Sequence, residues 1–232
     1  MSAASDRLGG RIPLPRLVLL DLDGTLVDTV PDLAACADAM LAELGRPPQG
    51  EARVREWVGN GVERLVKRTL TGSQDGEPDA ALFEQALDRF MALYALNVSA
   101  RSRPYPGAKN LLAFFKSRDV ARACVTNKLA RYTERLLSDL AMLDRFDLVL
   151  SGDSLPRKKP DPLPLLHATR HFGVDPGECL MIGDSKNDVA AARAAGVRIV
   201  CVSYGYNHGE DIHAARPDAV IDSLDELSGL IA

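Results

Sequence analysis

Residues 17–29 read Leu-Val-Leu-Leu-Asp-Leu-Asp-Gly-Thr-Leu-Val-Asp-Thr, an apolar run that stops at two carboxylates one residue apart. The run has the make-up of a buried strand, and Gly24 that of the turn after it. Side chains alternate along a strand, so Asp21 and Asp23 are expected to point the same way, into the crevice beyond the strand end. Two carboxylates this close repel each other and are costly to desolvate without a cation or a proton between them. A helix cap plus a turn aspartate would account for one carboxylate but not for both. The pair therefore predicts a metal-dependent reaction centre.

Something must hold that centre in place. From about residue 105 onward, short apolar runs at 122–126, 148–151, 179–183, 198–202 and 219–221 alternate with helical patterns at 108–117, 130–140, 163–172 and 188–195. Such alternation predicts a parallel sheet with helices on both faces, to which strand 17–21 also belongs. Residues 30–103 contain no convincing strand. Leu33, Cys36, Ala37, Met40, Leu41 and Leu44 recur at helical spacing, and Gly45 with Pro47 and Pro48 ends that helix. Further stripes run through Val54, Trp57, Val62, Leu65 and Leu70, then through Phe83, Leu87, Phe90 and Tyr94. Packing explains these aromatics, and the stretch is expected to be a small helical bundle. The expected division is a flexible tail over 1–15, a core made of 16–29 and 105–232, and a helical insert over 30–104. Its two tethers, 28–31 and 101–106, suit a lid.

Four segments come in a telling order: Asp21-Leu22-Asp23-Gly24-Thr25; Thr126 after Ala123-Cys124-Val125; Lys159 in Lys158-Lys159-Pro160-Asp161-Pro162; and Gly183-Asp184-Ser185-Lys186-Asn187-Asp188. Together they resemble the four motifs of the haloacid dehalogenase superfamily, most of whose members are phosphatases. The resemblance implies an α/β fold, with a Rossmann-like parallel sheet core and an inserted all-helical C1 cap. It also implies Mg²⁺, phosphomonoester hydrolysis and an aspartyl-phosphate intermediate. By it, Asp21 is the nucleophile, a role that suits a carboxylate ionised at neutral pH. Asp23 protonates the leaving alkoxide and then activates water. Lys159 pairs with Asp21 and the phosphate, while its neighbour Lys158 is a solvated bystander. Asp21, the backbone carbonyl of Asp23, and Asp184 are the implied Mg²⁺ ligands, enough for an ion that keeps waters. Asp188 either supports that shell or closes a Ser-x-x-Asp capping box with Ser185, and the two roles are compatible. Thr126 and Asn127 are expected to cradle phosphate oxygens.

Substrate choice falls to the insert. Gly59-Asn60-Gly61 interrupts a helical stripe, and a helix starting there offers free N–H groups to an anion. With Val30-Pro31-Asp32-Leu33, Thr126-Asn127-Lys128 and Tyr204-Gly205-Tyr206-Asn207, it resembles the superfamily members that hydrolyse 2-phosphoglycolate. The resemblance implies that substrate, with amides near Asn60 and Gly61 receiving its carboxylate. A sugar phosphomutase of the β-phosphoglucomutase type shares the core and the cap, but nothing in the cap sequence demands that its intermediate be shielded from water. A non-catalytic binding protein would have no need of Asp21, Asp23, Lys159 and Asp184 together.

Bulk properties narrow the partners. At 46% hydrophobic and 26% charged, the chain of 232 residues reads as a globular protein with a real core. A net charge of -4 leaves no basic footprint for nucleic acid or an anionic membrane, and no apolar run is long enough to span a bilayer. The expected partner is a small-molecule phosphate ester, handled by a monomer or homodimer. Cys36, Cys124, Cys179 and Cys201 are widely spaced in apolar surroundings, which predicts buried reduced thiols and a cytoplasmic protein. His167 and His171 lie four residues apart without a glutamate-bearing zinc motif, so they are expected on an exposed helix face. His208 has no role legible in the sequence.

Overall fold

The apolar run that ends at Asp21 becomes β1 (Leu17–Leu20), with every residue fully buried. In the computed structural model, which describes residues 11–231, it is followed by β2 (Val27–Asp28) and four helices, α1 (Val30–Glu43), α2 (Glu51–Trp57), α3 (Val62–Thr71) and α4 (Ala80–Leu96). The chain returns through β3 (Arg103–Pro104), and then alternates: α5 (Ala108–Lys116), β4 (Ala121–Val125), α6 (Ala130–Asp139), β5 (Leu148–Leu150), α7 (Leu163–Phe172), β6 (Cys179–Gly183), α8 (Lys186–Ala195), β7 (Arg198–Val202), β8 (Ala219–Ile221) and α9 (Leu224–Leu230).

Six strands form one parallel sheet in the order β5-β4-β1-β6-β7-β8. Both faces are covered, which is why the strands read as unbroken apolar runs and not as alternating ones. Alternation sorts the side chains instead. Leu17 and Leu19 join Ala123, Val125, Met181 and Ile199 in the core under α7 and α8, whereas Val18 and Leu20 join Cys124, Leu180 and Ile182 in the core under α5 and α9. The chain leaves β1 toward one edge and comes back to β6 on its other side. The strand order thus reverses beside β1, and the C-terminal end of β1 opens onto the crevice where such sheets bind ligands.

Helices α1–α4 pack on one another around Met40, Val54, Trp57, Val66, Phe90 and Tyr94. The antiparallel pair β2–β3, in which Val27 faces Pro104, joins the outgoing and returning tethers. A two-residue strand has no periodicity to read, so this pair was not expected from the sequence. The buried Asp32 carboxylate, in the first turn of α1, accepts from the Arg101 and Ser102 amides and the Ser102 hydroxyl at 2.6–3.0 Å. Tyr206 reaches over from the sheet: its hydroxyl accepts from the Thr29 amide at 2.9 Å and donates to Asp28 at 2.8 Å.

The expected flexible tail over 1–15 needs correction at its inner end. Ile12 is 2% exposed, its amide donates to the Leu230 carbonyl, and it bridges to Ile231. An apolar side chain beside the C-terminal helix has somewhere to bury itself, and it does. Residues 1–10 of that expected tail lie outside the described residues. The four cysteines are buried free thiols. Among the described residues, no helix is long and apolar enough to cross a membrane.

Candidate active site

Asp21 is the first residue past β1, and its amide still donates to Ile182 of β6, so the sheet aims its carboxylate. Lys159 enters from the β5–α7 loop, with its ammonium 2.7 Å from Asp21 Oδ1 and 2.6 Å from Asp188 Oδ1. Asp184 follows β6. Its Oδ1 accepts from the Thr25 hydroxyl at 3.0 Å and its Oδ2 from the Tyr206 amide at 2.7 Å. Only bare backbone fits around it: a Cβ on Gly24, where φ is +87°, would lie 2.5 Å from Asp184 Oδ2. Of the roles left open for Asp188, the capping box forms, and the residue also meets Lys159. Its Oδ2 accepts from the Ser185 hydroxyl and amide, closing the capping box of α8, while its Oδ1 binds Lys159.

Carboxylate oxygens of Asp21, Asp184 and Asp188 lie within 4.8 Å of one another. Three carboxylates thus share one ammonium in a buried place. Burial, with help from Asp188 and Asp184, drives the Asp21 carboxyl well above its ordinary range despite the opposing pull of Lys159. Burial and then Asp188 push Asp184 up to about 7, against the Tyr206 amide and the Thr25 hydroxyl. Burial works against the charge on Lys159, but Asp188 and Asp21 outweigh it and raise its affinity for the proton. An all-oxygen cluster that carries more negative charge than its surroundings neutralise fits a small hard divalent cation such as Mg²⁺.

This has a measurable consequence. With Asp184 pushed up to about 7 from an ordinary 3.8, its contribution to stability without metal is complete below about 3.8 and is lost progressively as pH rises to about 7. A cation that takes the proton's place restores what was lost. Adding Mg²⁺ is therefore expected to raise the melting temperature more at pH 8 than at pH 5.5. Equal gains at the two pH values would remove Asp184 from the metal shell.

Asp23 shares the crevice but not the lysine. Its Oδ1 takes the Thr29 hydroxyl at 2.7 Å and the Lys128 ammonium at 3.0 Å. Sequence reasoning named Lys128 only within the Thr126-Asn127-Lys128 segment and gave it no role; it is buried beneath the ring of Tyr94. Its position next to Thr126-Asn127 was the available signal, but a single lysine in a loop reads as solvated. The Thr126 hydroxyl oxygen accepts from the Lys128 amide, which leaves its own O–H free to donate. Asn127 commits its side-chain amide to the Gly59 and Lys159 carbonyls at 3.0 and 2.9 Å. Among the described residues, no protein acceptor takes the backbone N–H groups of Leu22, Asp23 or Asn127. Asp23 and Asn127 line the crevice, and unpaired amides there can serve an anion.

The helical insert sits down on this crevice. The Gly59 carbonyl accepts from Asn127 and also from Asn187, at 3.3 Å. Asn60 turns away: its Oδ1 accepts from Arg68 within the insert, and it lines neither of the two cavities here. Gly61 does line one of them. Lys158, expected to be a bystander, is exposed yet arches to the insert, since a Cβ on Gly61 would lie 2.6 Å from its Nζ. His208 packs its ring against Gly59 with Nδ1 3.3 Å from the Glu56 carbonyl, so it belongs to the seam between insert and sheet. The cavity over Asp21, Lys159 and Asp184 measures about 20 Å³, room for little more than a water.

A doubly wound parallel sheet with this crevice at its reversal point, rich in buried carboxylates that could hold a cation and roofed by a helical insert, is a frame that suits a hydrolase. Comparison with known proteins makes the assignment specific. The chain belongs to the haloacid dehalogenase-like hydrolase family, whose sequence pattern matches residues 15–196. It is 56% identical over 218 residues to the phosphoglycolate phosphatase of Nitrosococcus oceani, covering 94% of this chain and 97% of that one. It is 51% identical over 220 residues to the phosphoglycolate phosphatase of Thiobacillus denitrificans, with 94% and 97% covered. The crystal structure of a predicted phosphoglycolate phosphatase from Haemophilus somnus superimposes with a TM-score of 0.88 at 33% identity, over 93% of this chain and 97% of that one.

Proposed function

We propose that this chain hydrolyses 2-phosphoglycolate to glycolate and phosphate through an aspartyl-phosphate on Asp21. The chemistry rests above all on the Lys159 ammonium, bonded at once to Asp21 and to Asp188. It aims the nucleophile and stands ready for the charge on the phosphoryl oxygens. The substrate rests on the 56% identical relative, which matches 94% of the chain.

In this reading Asp21 attacks phosphorus, and the bond from phosphorus to the ester oxygen breaks. Asp23 gives that oxygen its proton. Water then attacks the aspartyl-phosphate, Asp23 takes the water's proton, and phosphate departs with Asp21 restored. The free amides of Leu22, Asp23 and Asn127, with the Thr126 hydroxyl, hold the phosphoryl oxygens. Mg²⁺, held by Asp21, the Asp23 carbonyl and Asp184, would neutralise charge on the phosphoryl group. Asp188 spends both carboxylate oxygens on Lys159, Ser185 and the Asp184 amide, which suits an orienting role.

The same reading makes 30–104 a cap domain over the core of 16–29 and 105–232. In this reading the cap opens to admit the ester and closes to exclude water. The β2–β3 pair and Asp32 hold its two tethers together and mark the hinge, with Tyr206 bonded to the outgoing one. We place the enzyme in the cytoplasm, where its four thiols stay reduced, as a monomer or homodimer acting on a small phosphate ester.

A panel of phosphate compounds with Mg²⁺ tests the substrate. We expect kcat/KM for 2-phosphoglycolate to exceed that for hexose phosphates, phosphonoacetaldehyde and pyrophosphate by at least about 10-fold. Phosphate release from 2-phosphoglycolate no faster than from the others would overturn the substrate and leave the phosphatase chemistry standing.

A further inference from the structure

A second cavity, of about 50 Å³, adjoins the catalytic crevice and shares Asp23, Val58, Gly59 and Asn127 with it. Its walls are mostly apolar, among them Leu33, Val62, Leu65 and Phe90 from the helical insert. Two of its polar groups stand out because the fold leaves them short of partners. The Lys128 side chain is 5% exposed, and among the described residues its ammonium makes a single hydrogen bond, to Asp23 Oδ1 at 3.0 Å. The Tyr94 hydroxyl, on a residue 2% exposed, makes no well-formed hydrogen bond and has the Lys128 ammonium as its polar neighbour, 4.9 Å from its ring centroid. Buried donors left unmet are costly and call for an explanation.

Position supplies one. If Asp23 is to protonate the departing oxygen, the rest of the leaving group has to lie beside Asp23. The cavity that begins at Asp23 is where the departing fragment fits. A site with apolar walls and two convergent donors, one of them cationic, selects a short fragment that ends in an anion. Burial pushes the Tyr94 phenol up and so keeps it a neutral donor.

We infer that Lys128 and Tyr94 form the leaving-group subsite, in which the substrate carboxylate binds the Lys128 ammonium and the Tyr94 hydroxyl. The inference deepens the proposed phosphoglycolate phosphatase reading and rests on it. It moves charge recognition from the amides near Asn60 and Gly61 to a core lysine and a cap tyrosine that meet when the cap is closed.

The test compares 2-phosphoglycolate with p-nitrophenyl phosphate, which lacks the carboxylate, in wild type, Lys128→Gln, Lys128→Arg and Tyr94→Phe. In Lys128→Gln the ratio of kcat/KM for the two substrates is expected to fall at least about 30-fold, chiefly through KM for 2-phosphoglycolate. Lys128→Arg should recover part of it, and Tyr94→Phe should lower it about 5-fold. Glycolate, used as an inhibitor of p-nitrophenyl phosphate hydrolysis, should weaken in parallel. Equal losses on both substrates in Lys128→Gln would mean that Lys128 serves Asp23 alone, and the inference would fall while the phosphoglycolate reading stood. A wild type with no preference for 2-phosphoglycolate would bring down that reading and the inference with it. Should Lys128→Gln lose its cooperative melting, Tyr94→Phe decides, and an unchanged ratio there overturns the inference.

Discussion

Asp21→Asn is expected to lower kcat by at least about 10⁴-fold, on every phosphate ester tested, because an amide offers no anionic oxygen to phosphorus. The fold should survive. Asparagine has the shape of aspartate, and the Asp21 amide bond to Ile182 comes from the backbone. Stability should even hold steady or rise in the absence of metal. Burial and the neighbouring Asp188 and Asp184 disfavour the charged form of Asp21 more than Lys159 favours it, so neutralising it removes a net cost at neutral pH. Turnover assays paired with thermal melting check both halves. Residual activity above about one-hundredth of wild type would refute the nucleophile, whatever the melting temperature.

Lys159→Met separates aiming from attacking. Methionine fills the same space without the ammonium, so Asp21, Asp184 and Asp188 face one another with no fixed cation among them. Removing one partner of a buried ion pair costs about 3–5 kcal/mol, mostly through the charge left behind. The Asp21 carboxyl, already raised, loses the Lys159 charge that favours its ionised form. We expect kcat to fall about 10³-fold and the melting temperature to drop. The sign of the pH dependence follows from the raised carboxyls: protonation relieves their repulsion, so the stability deficit against wild type is largest at pH 8 and shrinks toward pH 5.5. Mg²⁺ should restore part of the melting temperature at pH 8 but not the rate. A deficit that grew as pH fell would show that Lys159 does not neutralise this cluster.

Much of the fold is legible in the chain because it is built from local patterns. The strands at 179–183, 198–202 and 219–221 stand where their apolar runs lie, and the helix at 163–172 ends at Gly173, whose φ of +61° suits the residue that stops it. The Ser185–Asp188 capping box is a four-residue signal, and it forms as read, though α8 starts two residues earlier than its apolar pattern. The pair β2–β3 is too short to have a period. Helix α9 was missed as well, since its seven residues carry barely two turns of pattern. Ile12 looked like part of a tail because nothing near it in sequence tells that Leu230 and Ile231 will lie alongside.

The site divides in the same way. The residue types at 21, 23, 159, 184 and 188, with their order, are enough to define a carboxylate centre that needs a cation, because charge and chain order are properties of the sequence itself. Which cation serves which carboxylate is a matter of distance in space. Lys159 stands with Asp21 and Asp188, while Lys128 stands with Asp23, 105 residues away in the chain. A lysine's spacing along the chain says nothing of whether it ends in water or in a cavity; only the packing of Tyr94 and the closed insert over Lys128 buries it. The sequence by itself therefore determined the kind of chemistry. Tertiary structure alone decided that each of the two aspartates has its own lysine, because those pairs join side chains from separate loops that meet only where the sheet gathers its strand ends.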